Sequence, residues 1–414
     1  MPFPGSQHAN TIDLAYFIHK YRIILRLIGL ALVLVPLYAY LIQGRTWSKL
    51  LLSVVLIFYG IIFYYFNFRF EADKMFYQPT RVAFASAATS TIPADRLVIG
   101  VVINKEAKAY PIQIIGYHHQ VRDTVGGSPV MITYCTVCRT GRVFSPAVNG
   151  KEENFRLVGM DHFNAMFEDA GTKSWWQQAT GRSIAGPLKN TQLTELPSSQ
   201  STLREWMAQY PDTRILQPDT LFKKDYEDLA DYDKGTIKGG LERRDSASWK
   251  KKSWVVGVRS GHHTKAYDWN DLVSHPLIHD TLGATPLLIA LGTDSTTFHV
   301  WDRTVQGQVL RFERQPASVA PALTPASAAT STQAHQPVIA AAQTTTPSGN
   351  PPAGSANPPG GYLLTDNTGS TWDFNGKCLS GPLKDQQLQP IQSYQEFWHS
   401  WSNFHPGTGQ YVSH

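Results

Sequence analysis
The sequence predicts an α+β protein: two tandem, homologous, β-rich domains behind an N-terminal two-helix transmembrane hairpin. Three observations predict it. Two long apolar runs lie near the start of the 414 residues, a late stretch matches an earlier one in order, and short β-branched or aromatic runs dominate both stretches.

The apolar runs come first. Leu27 to Gln43 reads LIGLALVLVPLYAYLIQ and, counted from Ile23, is long enough to cross a bilayer. Its one charge, Arg26, lies near an end, where the side chain can snorkel to the headgroups. Leu50 to Phe66 carries no charge and closes on Tyr64-Tyr65-Phe66, the pattern of an interfacial aromatic belt. Gly44 to Lys49 is a short polar turn, so both ends of the hairpin lie on one side. A cleaved signal peptide fits the first run poorly: it starts late, lacks a small-residue cleavage pattern, and is followed at once by a second span. Lys20, Arg22, Arg69 and Lys74 on one side slightly outweigh Arg45 and Lys49 in the turn, which favours termini inside. The expected division is a tail over 1–22, a hairpin over 23–67 with spans at about 23–43 and 50–66, and a connector over 68–95.

The repeat comes next. From Val98 the chain aligns without a gap to the stretch from Val255, at an offset of 157. Gly100 pairs with Gly257, Lys108-Ala109-Tyr110 with Lys265-Ala266-Tyr267, His118 with His275, Asp123-Thr124 with Asp280-Thr281, and Gly126 with Gly283. Gly186-Pro187-Leu188-Lys189 recurs as Gly381-Pro382-Leu383-Lys384, and Trp206 as Trp401, at an offset of 195. An insertion at about 315–360, rich in Ala, Pro, Thr, Ser and Gln and without hydrophobic period, accounts for the difference and reads as a disordered excursion. The domains are then 96–216 for copy one, 217–252 for a linker, and 253–414 for a degenerate copy two. The repeat is far longer than a solenoid unit, so it means two tandem domains.

Within copy one, strands are expected at Leu97 to Asn104, Val130 to Tyr134, Arg142 to Val148, Phe155 to Val158 and Trp175 to Gln178, with a turn at Gly126-Gly127. One helix, capped by Ser201 or Thr202 with Glu205 placed for a capping box, runs to Tyr210 and stops at Pro211. Its counterpart is expected over Ser393 to Phe404. The formal charge of +5 is spread thinly, without a dense Lys/Arg block, so nucleic-acid binding is excluded as a function class. Three cysteines form no disulfide framework.

Two of the three carry the chemistry. Thr133-Tyr134-Cys135-Thr136-Val137-Cys138-Arg139-Thr140 places two thiols two residues apart, spacing that closes a disulfide or chelates one soft metal ion, copper or zinc. The pair sits at a strand end, where side chains are expected to become accessible. Arg139 and Arg142 would favour the thiolates if they face the sulfurs. His118 is a candidate third metal ligand or proton-transfer partner and His162 a further one. The bland alternatives are inert packing for the cysteines, a structural hydrogen bond from His118 to Asp123, and a solvated side chain for His119. In copy two the pair becomes Gly292 and Ser295, so that copy cannot do thiol chemistry. Trp175, Trp176 and Trp206 read as core, and Cys378, close to Ser183 in the alignment, as a lone buried thiol.

Ala109-Tyr110-Pro111, His118, Asp123-Thr124-Val125-Gly126-Gly127, the Thr133 to Cys138 tract, Ser174-Trp175, Thr180-Gly181 and Gly186-Pro187-Leu188 together resemble the DUF3179 family, a bacterial family of undefined function. The resemblance covers roughly Arg96 to Leu216, with copy two a degraded version. Its typical tract is TYCPLCGT; this chain has Thr136 for the proline, Arg139 for the glycine, and His119 where an acidic residue follows the first histidine. The resemblance implies export or membrane attachment and no established activity. Three functions compete on this reading: a membrane-held thiol redox or soft-metal site, a non-enzymatic module binding a protein or small-molecule partner in a groove between the copies, and, weakest for want of a nucleophile motif, a hydrolase using His118 and Asp123.

Overall fold
The computed structural model describes residues 5–316 and 361–413; the expected insertion lies, from 317 on, outside them. Helix α1 (Ile12–Lys20) leads into α2 (Arg22–Gln43) and α3 (Thr46–Tyr64), which a π-turn continues through Arg69. The helices over 22–43 and 46–69 have mean hydropathies of 2.2 and 2.0, and the apolar window of each is entirely unburied within the protein. Both are long and apolar enough to cross a membrane. The residues before them do more than trail: Tyr16 stacks edge-on against Trp175, and Lys189 pairs with Asp13 at 2.6 Å.

The β-rich body starts after α4 (Ala72–Met75). Its first half runs β1 (Phe84–Ser86), β2 (Leu97–Ile103), β3 (Glu106–Pro111), α5 (Ile112–His118), β4 (Gln120–Val125), β5 (Ser128–Cys135), β6 (Thr140–Phe144), β7 (Ala147–Val148), β8 (Lys151–Glu152), β9 (Phe155–Asp161), β10 (Asn164–Asp169), β11 (Trp175–Gln177), β12 (Ser183–Ala185), β13 (Ser199–Thr202), α6 (Leu203–Gln209), β14 (Arg214–Leu216) and α7 (Lys223–Asp228). Its sheets are ordered β1-β14-β3-β2-β13, β4-β5-β6 and β12-β11-β10-β9. The stretch over 217–252 packs Phe222, Tyr226 and Tyr232 into the first core.

The second half runs β15 (Trp254–Ser260), β16 (His263–Asp268), α8 (Trp269–Ser274), β17 (Leu277–Leu282), β18 (Thr285–Leu291), β19 (Phe298–Asp302), β20 (Thr304–Val305), β21 (Gln308–Val309), β22 (Phe312–Pro316), β23 (Tyr362–Asp366), β24 (Thr371–Trp372), β25 (Cys378–Ser380), β26 (Gln389–Pro390), β27 (Ser393–Phe397), α9 (Trp398–Phe404) and β28 (Gly409–Gln410). Its orders are β27-β15-β16-β28, β17-β18-β19-β26 and β22-β23-β24-β25. In both halves the final short strand joins parallel to the second strand of the opening hairpin.

Residues matched between the halves do matched work. Asp123 accepts from Lys108 Nζ (2.9 Å) and Tyr110 (2.7 Å), and Asp280 accepts from Lys265 (2.7 Å) and Tyr267 (2.8 Å). Trp206 Nε1 donates to Thr213 and Trp401 Nε1 to Thr408. A Cβ on Gly100 would lie inside the Trp206 ring, and one on Gly257 inside the Trp401 ring. Gly126 and Gly127, at φ +54° and +80°, make the two-residue loop between β4 and β5, where both positions need positive φ.

The strand expectations for copy one hold to within a few residues. One local reading is corrected. Ser393–Phe397 is a strand, not the start of a helix: five residues pair with Trp254–Val258, and this ladder overrides the serine cap signal. The cap of α6 is Thr202, one of the two residues expected, and its hydroxyl accepts from Glu205 N. Gly100→Ala and Gly257→Ala should each destabilise the protein by about 1–3 kcal/mol through overpacking against a tryptophan, measured as a shift in the denaturant midpoint at constant slope.

Candidate functional site
The core beneath β5 and β6 contains the cysteine pair. Cys138 N donates to Cys135 O and Arg139 N to Thr136 O, both at 3.3 Å, folding the tract between the two strands into a tight turn. Both thiols are free, and both aim at one acceptor, the Phe163 carbonyl, at 3.5 Å from Cys135 and 3.4 Å from Cys138. Phe163 and His162 form the tip of the β9–β10 hairpin, each with positive φ. The expected accessibility is overturned: Cys135 is 1% exposed and Cys138 0%. The hairpin tip and the second half cover them.

That second cover was not visible in the tract itself. Phe397 N donates to Cys138 O at 3.0 Å, and Thr140 Oγ1 lies 3.2 Å from Ser400 Oγ. The Val137 carbonyl accepts from Lys252 Nζ at 2.6 Å and His399 Nε2 at 3.1 Å. The loop of one half is therefore closed by β27, the start of α9 and Lys252, two residues before β15, of the other. The arrangement is reciprocal. The Gly292–Ser295 loop is closed by the first half, where Thr202 N donates to Thr297 Oγ1 at 3.1 Å and Thr202 Oγ1 to Asp294 at 3.2 Å. Between the two seams Gln200 Nε2 donates to Gln395 Oε1 at 2.9 Å.

The arginines do not face the sulfurs. Arg142 pairs with Glu396 and stacks on Tyr394, its guanidinium carbon 3.3 Å from the ring centre. Arg139 donates to Gln395 Oε1 (2.8 Å) and to the Tyr232 and Asp233 carbonyls, and stacks on Trp254 at 3.9 Å. Both are buried. Arg139 holds φ +55°, the left-handed conformation a glycine would take without strain. Its buried partners hold it there.

Charge at the thiols is set by other groups. A hydrogen bond from Cys138 holds the Cys135 thiol below its ordinary range, against the opposing effect of burial, with the Ala165 and Cys138 amides and the Lys252 ammonium adding to it. Burial, then the neighbouring Cys135, pushes Cys138 well up. A thiol has one proton: Cys138 gives it to Phe163 O in the dithiol and to Cys135 once that sulfur ionises.

The histidines stand apart from this pair. His118 Nδ1 donates to Tyr77 O, so Nε2 is left to accept from Tyr226 OH at 2.6 Å; burial lowers its pKa. The expected bond to Asp123 is absent, since Asp123 is taken by Lys108 and Tyr110. His119 is buried, not solvated: it stacks on Phe76 at 4.5 Å, and burial lowers its pKa to about 4. His162 pairs with Asp161 at 2.6 Å. Among the described residues, no group of three or more His, Cys, Asp and Glu is placed to hold a metal ion. Cys378 is buried and alone in β25, at the place Ser183 holds in β12.

Lys252, Glu396, His399 and Ser400 are the site residues that sequence reasoning missed. Their signal was Gln395-Glu396, two polar residues inside a run otherwise fit for a buried strand.

The class of protein is then a β-rich α+β body with two apolar N-terminal helices and a buried dithiol between its halves. The family profile described as "Protein of unknown function (DUF3179)" matches residues 77–408, and the chain belongs to that family. No curated protein and no solved structure matches it.

Glu396→Ala should destabilise the protein by about 3–5 kcal/mol, because it strands a buried guanidinium, whereas Arg142→Met with Glu396→Leu should cost much less. Denaturant unfolding of the two variants checks the difference.

Proposed function
We propose that this chain is a membrane-anchored thiol–disulfide redox protein whose dithiol lies between two copies of one domain, the second degenerate. The observation that carries it is the convergence of Cys135 and Cys138 on one carbonyl, with Cys135 below and Cys138 above the ordinary thiol range. Inert packing calls for no such pairing. The Cys135 thiolate attacks one sulfur of a partner disulfide, and the partner's other sulfur leaves and takes up the Cys138 proton. The Cys138 thiolate then attacks Cys135, releasing the second partner sulfur. The pair ends as a disulfide and two electrons pass to the partner.

The recurrence of strand order, the paired Lys-Tyr-Asp networks and the reciprocal loop closure support the duplication. A hairpin that crosses a membrane puts both flanking segments on one side, and the family resemblance favours the side outside the cytoplasm. Zinc fits poorly, since it wants four ligands and the described residues offer two thiols here. A soft ion such as copper(I) could be held by the two thiolates alone. The binding-module reading has one observation in its favour, a cleft of about 520 Å³ between the halves, lined by Gln200, Trp206, Trp301 and Gln392 among others.

The pair should titrate in two steps by thiolate absorbance. Cys138→Ala should raise the Cys135 pKa, because the hydrogen bond that stabilises its thiolate is gone. Cys135→Ser and Cys138→Ser should each abolish reversible oxidation as fully as the double variant. Independent, additive behaviour of the two thiols would remove the redox reading. A reporter active only after export, fused at the C-terminus, should be active; a silent reporter on a well-expressed fusion reverses the assigned side.

A further inference from the structure
A pocket of about 560 Å³ lies between α9, the tip of the β9–β10 hairpin and the segment before α1. That volume is within the range of small-molecule sites. Its floor is the roof of the thiol site. Phe163 lines it, and its carbonyl takes both thiol hydrogens; Lys252 and His399 line it, and both donate to Val137 O.

The lining has a one-sided charge. Lys251 and Lys252 line it and supply that charge, and no Asp or Glu lines it; of the lining histidines, His399 is kept neutral by burial, which lowers its pKa to about 4, and His162 is paired with Asp161. Lys252 Nζ contacts the Val137 carbonyl and the His399 ring, and makes no ion pair with a carboxylate among the described residues. Burial disfavours the Lys252 ammonium while the charge of Cys138, Cys135 and Glu242 favours it, and an anion bound beside it adds to that support. Phe163 and Trp398 add flat apolar walls.

We infer that this pocket is the substrate subsite of the dithiol, and that it takes a disulfide bearing a carboxylate near its sulfurs. The inference rests on the redox reading. The carboxylate seats against Lys251 and Lys252, and the sulfurs meet Cys135 when the Phe163 tip lifts. Lys252 also faces the negative charge that moves onto the leaving sulfur. The exchange is the balanced two-step transfer given above, with the anionic disulfide as oxidant.

The test uses the reduced full-length chain in detergent and three small disulfides: anionic dithiodipropionate, neutral hydroxyethyl disulfide and cationic cystamine. Each rate of Cys135–Cys138 oxidation is divided by the rate of the same disulfide with free dithiothreitol, which removes intrinsic reactivity. The anionic compound should lead the neutral one by about tenfold at low salt, with the cation slowest and the order compressed by added salt. Lys251→Gln, at an exposed position, should erode the preference while Cys135–Cys138 oxidation by the neutral disulfide persists; Lys252→Gln should erode it and slow all three disulfides, because that ammonium also favours the Cys135 thiolate. Equal normalised rates for all three would overturn the anion subsite and leave the dithiol reading standing. Oxidation of the unfolded chain but by none of the three in the folded chain would sink both.

Discussion
The buried ion pair between Arg142 and Glu396 is the contact on which the rest of the site depends. Its side chains are 2% and 1% exposed and come from opposite halves of the chain. Taking two such charges out of water costs several kcal/mol per ion, and only close pairing with further hydrogen bonds repays it. Arg142 therefore also donates to Ala179 O at 3.1 Å, and Glu396 also accepts from Ser400 at 2.9 Å. Neither half can move from the other without uncovering both charges. With Glu396 fixed, the next residue, Phe397, is placed to donate to Cys138 O, and α9 begins where His399 and Ser400 can reach the loop. The thiols are dry because two charges hold the lid.

The second seam shows what the first would be without thiols. There the loop is stabilised from within: Asp294 Oδ1 accepts from Thr296 N (2.9 Å) and Thr297 N (2.8 Å), and its other oxygen takes the Thr297 hydroxyl at 2.7 Å. An aspartate turn of this kind needs no cysteine and no arginine pair. On the proposed duplication, one loop kept a hydrogen-bonded turn and the other holds sulfur in a core with Phe167 and Trp176. The tie between halves is stronger where the sulfur lies.

Much of this was legible in the sequence, and the boundary has a physical cause. Strands announced themselves through β-branched runs, and the matched Gly100/Gly257 and Trp206/Trp401 pairs marked the repeat, but not that each tryptophan ring lies on the bare backbone of its glycine. The apolar helices were legible because runs of that length and apolarity are rare and form helices whichever membrane role they serve. The cysteine spacing gave the pair but not its burial, since the groups that cover it lie more than a hundred residues away in Lys252, Glu396 and His399. Arg139 and Arg142 misled for the same reason. A charge one or four residues from a thiol suggests proximity, yet strand geometry sends it to the other side of the turn. His119 misled because αL geometry at φ +60° turns it back onto Phe76, a contact that depends on the fold.

The segment before the apolar helices ties location to chemistry. Gln7 Oε1 accepts from Phe163 N at 2.9 Å, and the His8 ring meets the Phe163 ring edge-on at 5.4 Å. Farther along, His19 lies 3.4 Å from Glu168, on the strand that leads away from Phe163. Then α2 begins. The same hairpin tip thus contacts the two thiols through its carbonyl and the segment before the apolar helices through its amide and ring. The turn that covers the sulfurs is held from both sides, so losing Gln7 would strip the Phe163 amide of its partner.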